Sequence, residues 1–427
     1  MITRSIFLVL FFATQVQADI GKWERFRGPN GSGIDESAEL PVKWSEENFA
    51  WQTKIPGKGH GSPVIWGDRI FLLSAVEGTP TEEPSAGENG KKKKGQPSLP
   101  YHWLAIAVSR SSGEILWEKQ FETGKFKGHR FNSPASSTAA VDENRVIFTR
   151  GTADQLTLVS LSHDGEVQWE KDMGPVNGGH GFGASPILYR DLVILNNDQE
   201  KGAGNLFALK ADTGEVAWTV PRKSLRISYS VPCIYQDKLV FVNWQHGFTA
   251  INPHDGSVVD EKSVFNLNTN ERAISSPVVA GDLVIGTCGF TANPKHCVAM
   301  KLTDGKWEEV WRIEKNVPHI PCVVACGDLL FLWDDAGIVS CVDTATGKLH
   351  WKERLPNMQG TCFGSPVSDG KHIFCTDESG NIHVIAAAET YQYITFNPLG
   401  ESCKTTPAIA GGNLYIRTEN TLHAIKP

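Results

Sequence analysis

The chain has 427 residues, with 41 Lys and Arg against 48 Asp and Glu, for a formal net charge of −7. An acidic balance with no basic stripe excludes a nucleic-acid partner, and 40% hydrophobic against 21% charged residues exclude a disordered chain. High Gly (41) and Trp (13) with only 4 Met point to an all-β protein rich in tight turns.

Residues 1–18 carry Arg4, an apolar run from Ile6 to Ala13, and Val16-Gln17-Ala18 at the end. This is the layout of a cleavable signal peptide. The apolar run is shorter than the ~20 residues that span a bilayer, and no other stretch approaches that length. With no cysteine beside the cleavage pattern, the expected protein is periplasmic or secreted, without a transmembrane segment or lipid anchor. Residues 19–427 are expected to form one monomeric domain.

Along that domain a short strand opening on Ser-Pro or a close variant recurs eight times: GSPVIW, NSPASS, ASPILY, SVPCIY, SSPVVA, IPCVVA, GSPVSD and TTPAIA. The prolines are Pro63, Pro134, Pro186, Pro232, Pro277, Pro321, Pro366 and Pro407. The first interval is longer because it contains residues 78–100, a Pro/Gly/Glu/Lys-rich stretch read as a disordered loop inserted in the first repeat. Further along the first six repeats, a Ser-Gly, Asp-Gly or Thr-Gly step marks a hairpin, where glycine accepts a positive φ. A tryptophan follows it (Trp117, Trp169, Trp218, Trp311, Trp351), replaced by Asp260 in the fourth repeat.

Four strands per repeat of ~45 residues define a β-propeller blade, with the Trp filling the wedge between blades. The last repeat runs out before its fourth strand, and the segment around Trp51 (residues 50–55) supplies one at the other end of the chain. The expectation is an all-β, eight-bladed propeller of four-stranded antiparallel blades, the N-terminal strand completing the C-terminal blade.

The Ser-Pro strand and the segment from Asp343 through Thr346-Gly347 to Trp351 resemble the pyrroloquinoline-quinone (PQQ)-type propeller repeat. The stretch Trp23-Glu24-Arg25-Phe26-Arg27-Gly28-Pro29-Asn30-Gly31 is similar to one in exported PQQ-like propellers. The resemblance implies two functional branches. One comprises quinoprotein dehydrogenases acting on alcohols or sugars, which hold PQQ and calcium on the propeller axis. The other is non-enzymatic and is typified by the lipoprotein that assists outer-membrane β-barrel assembly. The adjacent cysteine pair of the alcohol dehydrogenases is missing here, and no catalytic aspartate aligns. Asp334-Asp335 is the conspicuous acidic pair, at a strand-to-turn step where Asp is common anyway.

No phosphate loop, nucleophile elbow or zinc motif occurs, and no catalytic or metal-binding residue is assigned. The nine cysteines, all after residue 230, read mainly as buried small hydrophobes. Cys288 with Cys297, and Cys362 with Cys403, are the candidate disulfide pairs. The local bias lies just before the Ser-Pro strands, in loops that line one mouth of an axial channel. There His60, His129, Arg130, His180, Arg226, Arg272, His319 and Lys404 form a candidate positive rim, with histidine charge strengthening it as pH falls through ~6.5. Tyr229, Trp244 and Phe182 are candidates to stack on sugar rings. The leading expectation is an exported, non-catalytic binding or scaffold propeller whose mouth takes an anionic or carbohydrate ligand or a protein partner. The alternative is a PQQ-dependent oxidoreductase.

Overall fold

The computed structural model describes residues 21–78, 100–126, 131–152, 154–202, 204–269, 271–290 and 295–427. Residues 1–20, with the expected signal peptide, and residues 79–99 of the insertion lie outside them. Eight antiparallel sheets follow one another along the chain and are numbered here as blades 1 to 8. Blade 1 runs outward from the axis through Val64–Trp66, Arg69–Glu77, Pro100–Ser109 and Ile115–Lys125. Blade 8 combines Ala408–Ala410, Asn413–Arg417 and Thr421–Ile425 with the N-terminal strand Phe49–Lys54, where Trp51 stands opposite Ala424. The expected closure is therefore the observed one. Beyond it, Lys22–Trp23 pairs with Ile65 and Trp66 as a fifth strand of blade 1. Helical structure among the described residues is limited to two 3₁₀ turns, Pro29–Gly31 and Glu46–Asn48, and no helix there is long and apolar enough to cross a membrane.

The middle strands are buried on both faces, as in Leu192–Asp198, because each blade is sandwiched between two others. The hydrophobic clusters accordingly sit in the clefts between successive blades, such as Leu195 and Phe207 of blade 3 against Ile147 and Leu158 of blade 2.

The Gly-to-Trp spacing has a concrete cause. Each outer-strand Trp crosses to the next blade and donates its indole N–H to a carbonyl in that blade's hairpin. Trp51 reaches Arg110 O (2.9 Å), Trp117 His163 O (2.8 Å), Trp169 Ala211 O (2.8 Å), Trp218 Pro253 O (2.8 Å) and Trp311 Thr344 O (2.9 Å). The ring lies against the hairpin glycine. A Cβ on Gly113, Gly165, Gly214, Gly256 or Gly347 would come within 2.5–2.9 Å of it. Those glycines also have φ of 69–86°, so both backbone and space demand glycine. Where Asp260 replaces Trp, its carboxylate instead accepts from Trp307 N (2.8 Å) and Lys306 Nζ (2.9 Å) of blade 5.

All nine cysteines are buried and free, so neither proposed disulfide exists. Cys288 stands opposite His296, and Cys297 opposite Thr287. Successive side chains of a strand point to opposite faces, which sends the two sulfurs into different clefts. Cys362 and Cys403 likewise lie in separate clusters. Burial pushes the thiols up, Cys233 and Cys341 to about 12 and Cys326 to about 11, as expected of inert small hydrophobes.

Candidate functional site

The strands nearest the axis leave a cavity of about 530 Å³, open at the end where the chain enters each blade. Its lowest layer is a ring of one residue per blade: Ser62, Thr138, Ser185, Val231, Ser276, Cys322, Ser365 and Thr406. The ring is stitched from blade to blade. Ser62 N–H bonds Thr138 Oγ1 (2.9 Å), Thr138 N–H bonds Ser185 Oγ (2.9 Å), and Val231 N–H bonds Ser276 Oγ (2.9 Å). Ser276 N–H meets Cys322 Sγ (3.2 Å), Cys322 N–H bonds Ser365 Oγ (3.0 Å), Ser365 N–H bonds Thr406 Oγ1 (2.9 Å), and Thr406 N–H returns to Ser62 Oγ (3.0 Å).

This is the physical content of the Ser-Pro mark. The innermost strand is a sheet edge, so its first N–H needs a partner in the next blade, and the proline after it has none to satisfy. The same bonds correct the repeat assignment. In blade 2 the equivalent residue is Thr138, four residues beyond Pro134, and in blade 6 it is Cys322, just after Pro321.

Two residues before each ring position the chain supplies a second tier: His60, Ser136, Gly183, Tyr229, Ile274, Ile320, Phe363 and Lys404. Around the circle, Lys404, His60 and Ser136 make a polar sector, whereas Tyr229, Ile274, Ile320 and Phe363 make an apolar one. Phe131, Asn132, His180, Arg272, Phe290 and His319 line the upper wall, and Phe131 packs on Phe363 with centroids 5.5 Å apart.

The other end is closed by the Trp23–Gly31 stretch. Its residues bind blades around the whole circle. Glu24 O accepts from Val141 N (2.8 Å), and the Arg25 guanidinium donates to Pro232 O. The fully buried Arg27 donates to Gly31 O (3.2 Å), Val323 O (2.9 Å) and Pro366 O (3.1 Å). Asn30 pairs both ways with Ile234 (2.8 and 2.9 Å). Between them Phe26 projects into the cavity. The channel is thus a cup with one entrance.

Of the predicted rim, His60, His180, Arg272, His319 and Lys404 line the cup, as does the stacking candidate Tyr229. Arg226 stands behind it, paired with Glu200 at 3.8 Å. His129 and Arg130 lie outside the described residues. Trp244 and Phe182 are corrections. Both are buried, Trp244 bonded to Asn266 O (3.0 Å) and Phe182 packed over Gly151, so neither is available to stack on a ligand.

The charge of the rim also differs from expectation. Arg272 is paired with Glu200 (3.3 Å) and Lys404 with Glu378 (3.5 Å). Burial, with Lys404 and Arg417 nearby, holds the His60 imidazole at about 3. Burial also lowers His319, against the pull of Asp335. His60 therefore stays neutral through pH 5, and burial opposes the charging of His319 as pH falls. Sequence reasoning missed the hydroxyl ring, although its signal was the serine of four of the five Ser-Pro steps, Ser62, Ser185, Ser276 and Ser365. It also missed Phe26, Asn132 and Phe363, which carry no repeat signature.

The resemblance implies a quinone and calcium on the axis, and these residues do not supply the donors for them. Calcium takes six to eight oxygens, carboxylates among them, whereas none of the described residues lining the cup is a carboxylate. Asp334-Asp335 is committed elsewhere. Asp335 accepts from His319 N (3.1 Å), Ile320 N (2.8 Å) and Lys295 Nζ (2.7 Å), and Asp334 from Ala336 N (2.6 Å). The donor set does not fit a calcium-bound quinone.

Fold and cavity together define an eight-bladed propeller with a blind axial cup. Solved structures share this fold at low identity. BamB from Moraxella catarrhalis is 15% identical, with 83% of this chain and 98% of that chain covered and a TM-score of 0.55. A quinohemoprotein alcohol dehydrogenase from Comamonas testosteroni is 11% identical, with 94% and 80% covered and a TM-score of 0.60. The computationally designed Ika8 protein is also 11% identical, with 88% and 98% covered and a TM-score of 0.54. No curated protein matches the sequence. The family profile described as outer membrane protein assembly factor BamB, of the PQQ-repeat type, matches residues 103–353 and 296–427. The chain belongs to that family.

Proposed function

We propose that the protein is an exported, non-catalytic binding propeller whose axial cup holds an oxygen-rich small ligand or the end of a larger partner. The carrying observation is the cup itself, a single-entrance cavity of about 530 Å³ with a hydroxyl ring at its base and His60, His319, Arg272 and Lys404 above. That volume lies within the ~300–1,000 Å³ of small-molecule sites. Propellers of this type include both an assembly factor and a dehydrogenase, so the fold alone chooses neither class. The missing carboxylate donors favour binding over quinone chemistry. Anionic ligands would meet Arg272 and Lys404, although each cation already has a carboxylate partner.

The test is a thermal-shift screen of polar and anionic small molecules on wild type and on Ile274→Trp, which fills the cup. Ligands that stabilise wild type alone support the reading. A screen in which every ligand stabilises both forms equally overturns it. Dye-linked alcohol or sugar oxidation after adding quinone and calcium would overturn the non-catalytic part.

A further inference from the structure

We propose that the cup recognises the terminal ring of a neutral saccharide, stacked on Tyr229. This deepens the binding reading above and rests on it.

Tyr229 is built as a fixed platform. Its hydroxyl donates to Gly181 O at 3.1 Å, and its ring lies against Gly183, where a Cβ would come within 3.2 Å of Cδ1. The otherwise unexplained Gly-His-Gly-Phe-Gly run at 179–183 thus has a purpose in the cup. One glycine carbonyl holds the phenol, and the next glycine leaves room for its ring. A rigid aromatic face packs well against the C–H face of a pyranose, and a ring that cannot swing loses little entropy on binding.

The polar groups suit hydroxyls better than anions. In the basal ring each Ser or Thr oxygen named above accepts a neighbour's N–H, which leaves its own proton to be donated. Above it, the imidazoles of His60 and His319 line the cup. A neutral imidazole offers one donor and one acceptor. A sugar hydroxyl, which both donates and accepts, meets either role, whereas an oxyanion only accepts. Among the described residues, the rim cations Arg226, Arg272 and Lys404 are each backed by a carboxylate. Because Phe26 and Arg27 close the far end, an internal stretch of polysaccharide cannot thread through, and only a chain end can enter.

Calorimetry on the full chain with maltose, cellobiose and N,N′-diacetylchitobiose, and with glucuronate as the charged comparison, tests this. At least one neutral disaccharide should bind, with affinity unchanged when salt is raised several-fold, since screening acts on charges. Tyr229→Ala should weaken it about ten-fold, the order of an aromatic stacking contact. Gly183→Ala, which presses on the ring without removing it, should weaken it measurably but less, while melting stays near wild type. A longer oligosaccharide of the same sugar should bind as one end per protein; several proteins per chain would contradict the blind cup. No neutral binding at millimolar concentration, or binding indifferent to Tyr229→Ala and Gly183→Ala, overturns the proposal. Glucuronate binding that is tighter and salt-sensitive also overturns it, but would leave the cup a ligand site.

Discussion

The basal ring of the cup and the tier two residues above it are made by the same eight segments, yet they are built to opposite rules. The ring is nearly uniform, six hydroxyls with Cys322 and Val231, because every member except Val231 accepts the N–H of its neighbour. The tier holds seven residue types in eight places, sorted into a polar and an apolar sector. Where a side chain joins one blade to the next, its chemistry is dictated by the fold. Where it faces only the cavity, it is free to specialise.

That contrast presupposes a closed ring, and the largest expected effect tests closure. Trp51→Ala removes the indole that locks blade 8 to Gly113 and Arg110 of blade 1, and should cost about 3–5 kcal/mol, read as a lower urea midpoint with unchanged slope. Next comes the ring itself. Ser365→Ala strands the Cys322 N–H inside the protein and should cost about 1–3 kcal/mol.

Lys404→Met in the upper tier should stay within about 1 kcal/mol, since its ion pair with Glu378 is partly exposed. Equal losses for Ser365→Ala and Lys404→Met would break the distinction between the layers.

A pH titration sharpens it further. His60 is held at about 3 by burial and by Lys404 and Arg417, while the unfolded residue titrates near 6.5. Between these values the unfolded chain binds the extra proton, so stability falls as pH drops from about 6.5 toward 3. His60→Gln should flatten that part of the stability profile, and ligand affinity should stay level from pH 7 to 5. The smallest effect belongs to the outer strands. Val216→Thr, at an exposed position, should change stability by less than ~0.5 kcal/mol.

Much of this was legible before any coordinates. Blade number, strand count and closure through Trp51 follow from turn glycines, Ser-Pro strands and Trp spacing, all set by contacts that recur in nearly every blade. A recurring contact leaves a recurring residue. The repeat reading slipped at blade 2, where Pro134 looks like the mark but Thr138 makes the ring bond. It slipped because a local motif does not reveal which N–H it serves.

The candidate rim was legible as a neighbourhood, and five of its residues do converge. Its charge was not, because the carboxylates behind Arg272 and Lys404, and the burial that keeps His60 neutral, come from other blades. Sequence alone thus determined the architecture, since eight copies of one unit repeat the same local physics. The tertiary structure decided that the channel is a cup and which groups face into it. It also decided that Arg272 and Lys404 are paired and His60 is neutral, because burial and partner choice arise only when distant segments meet.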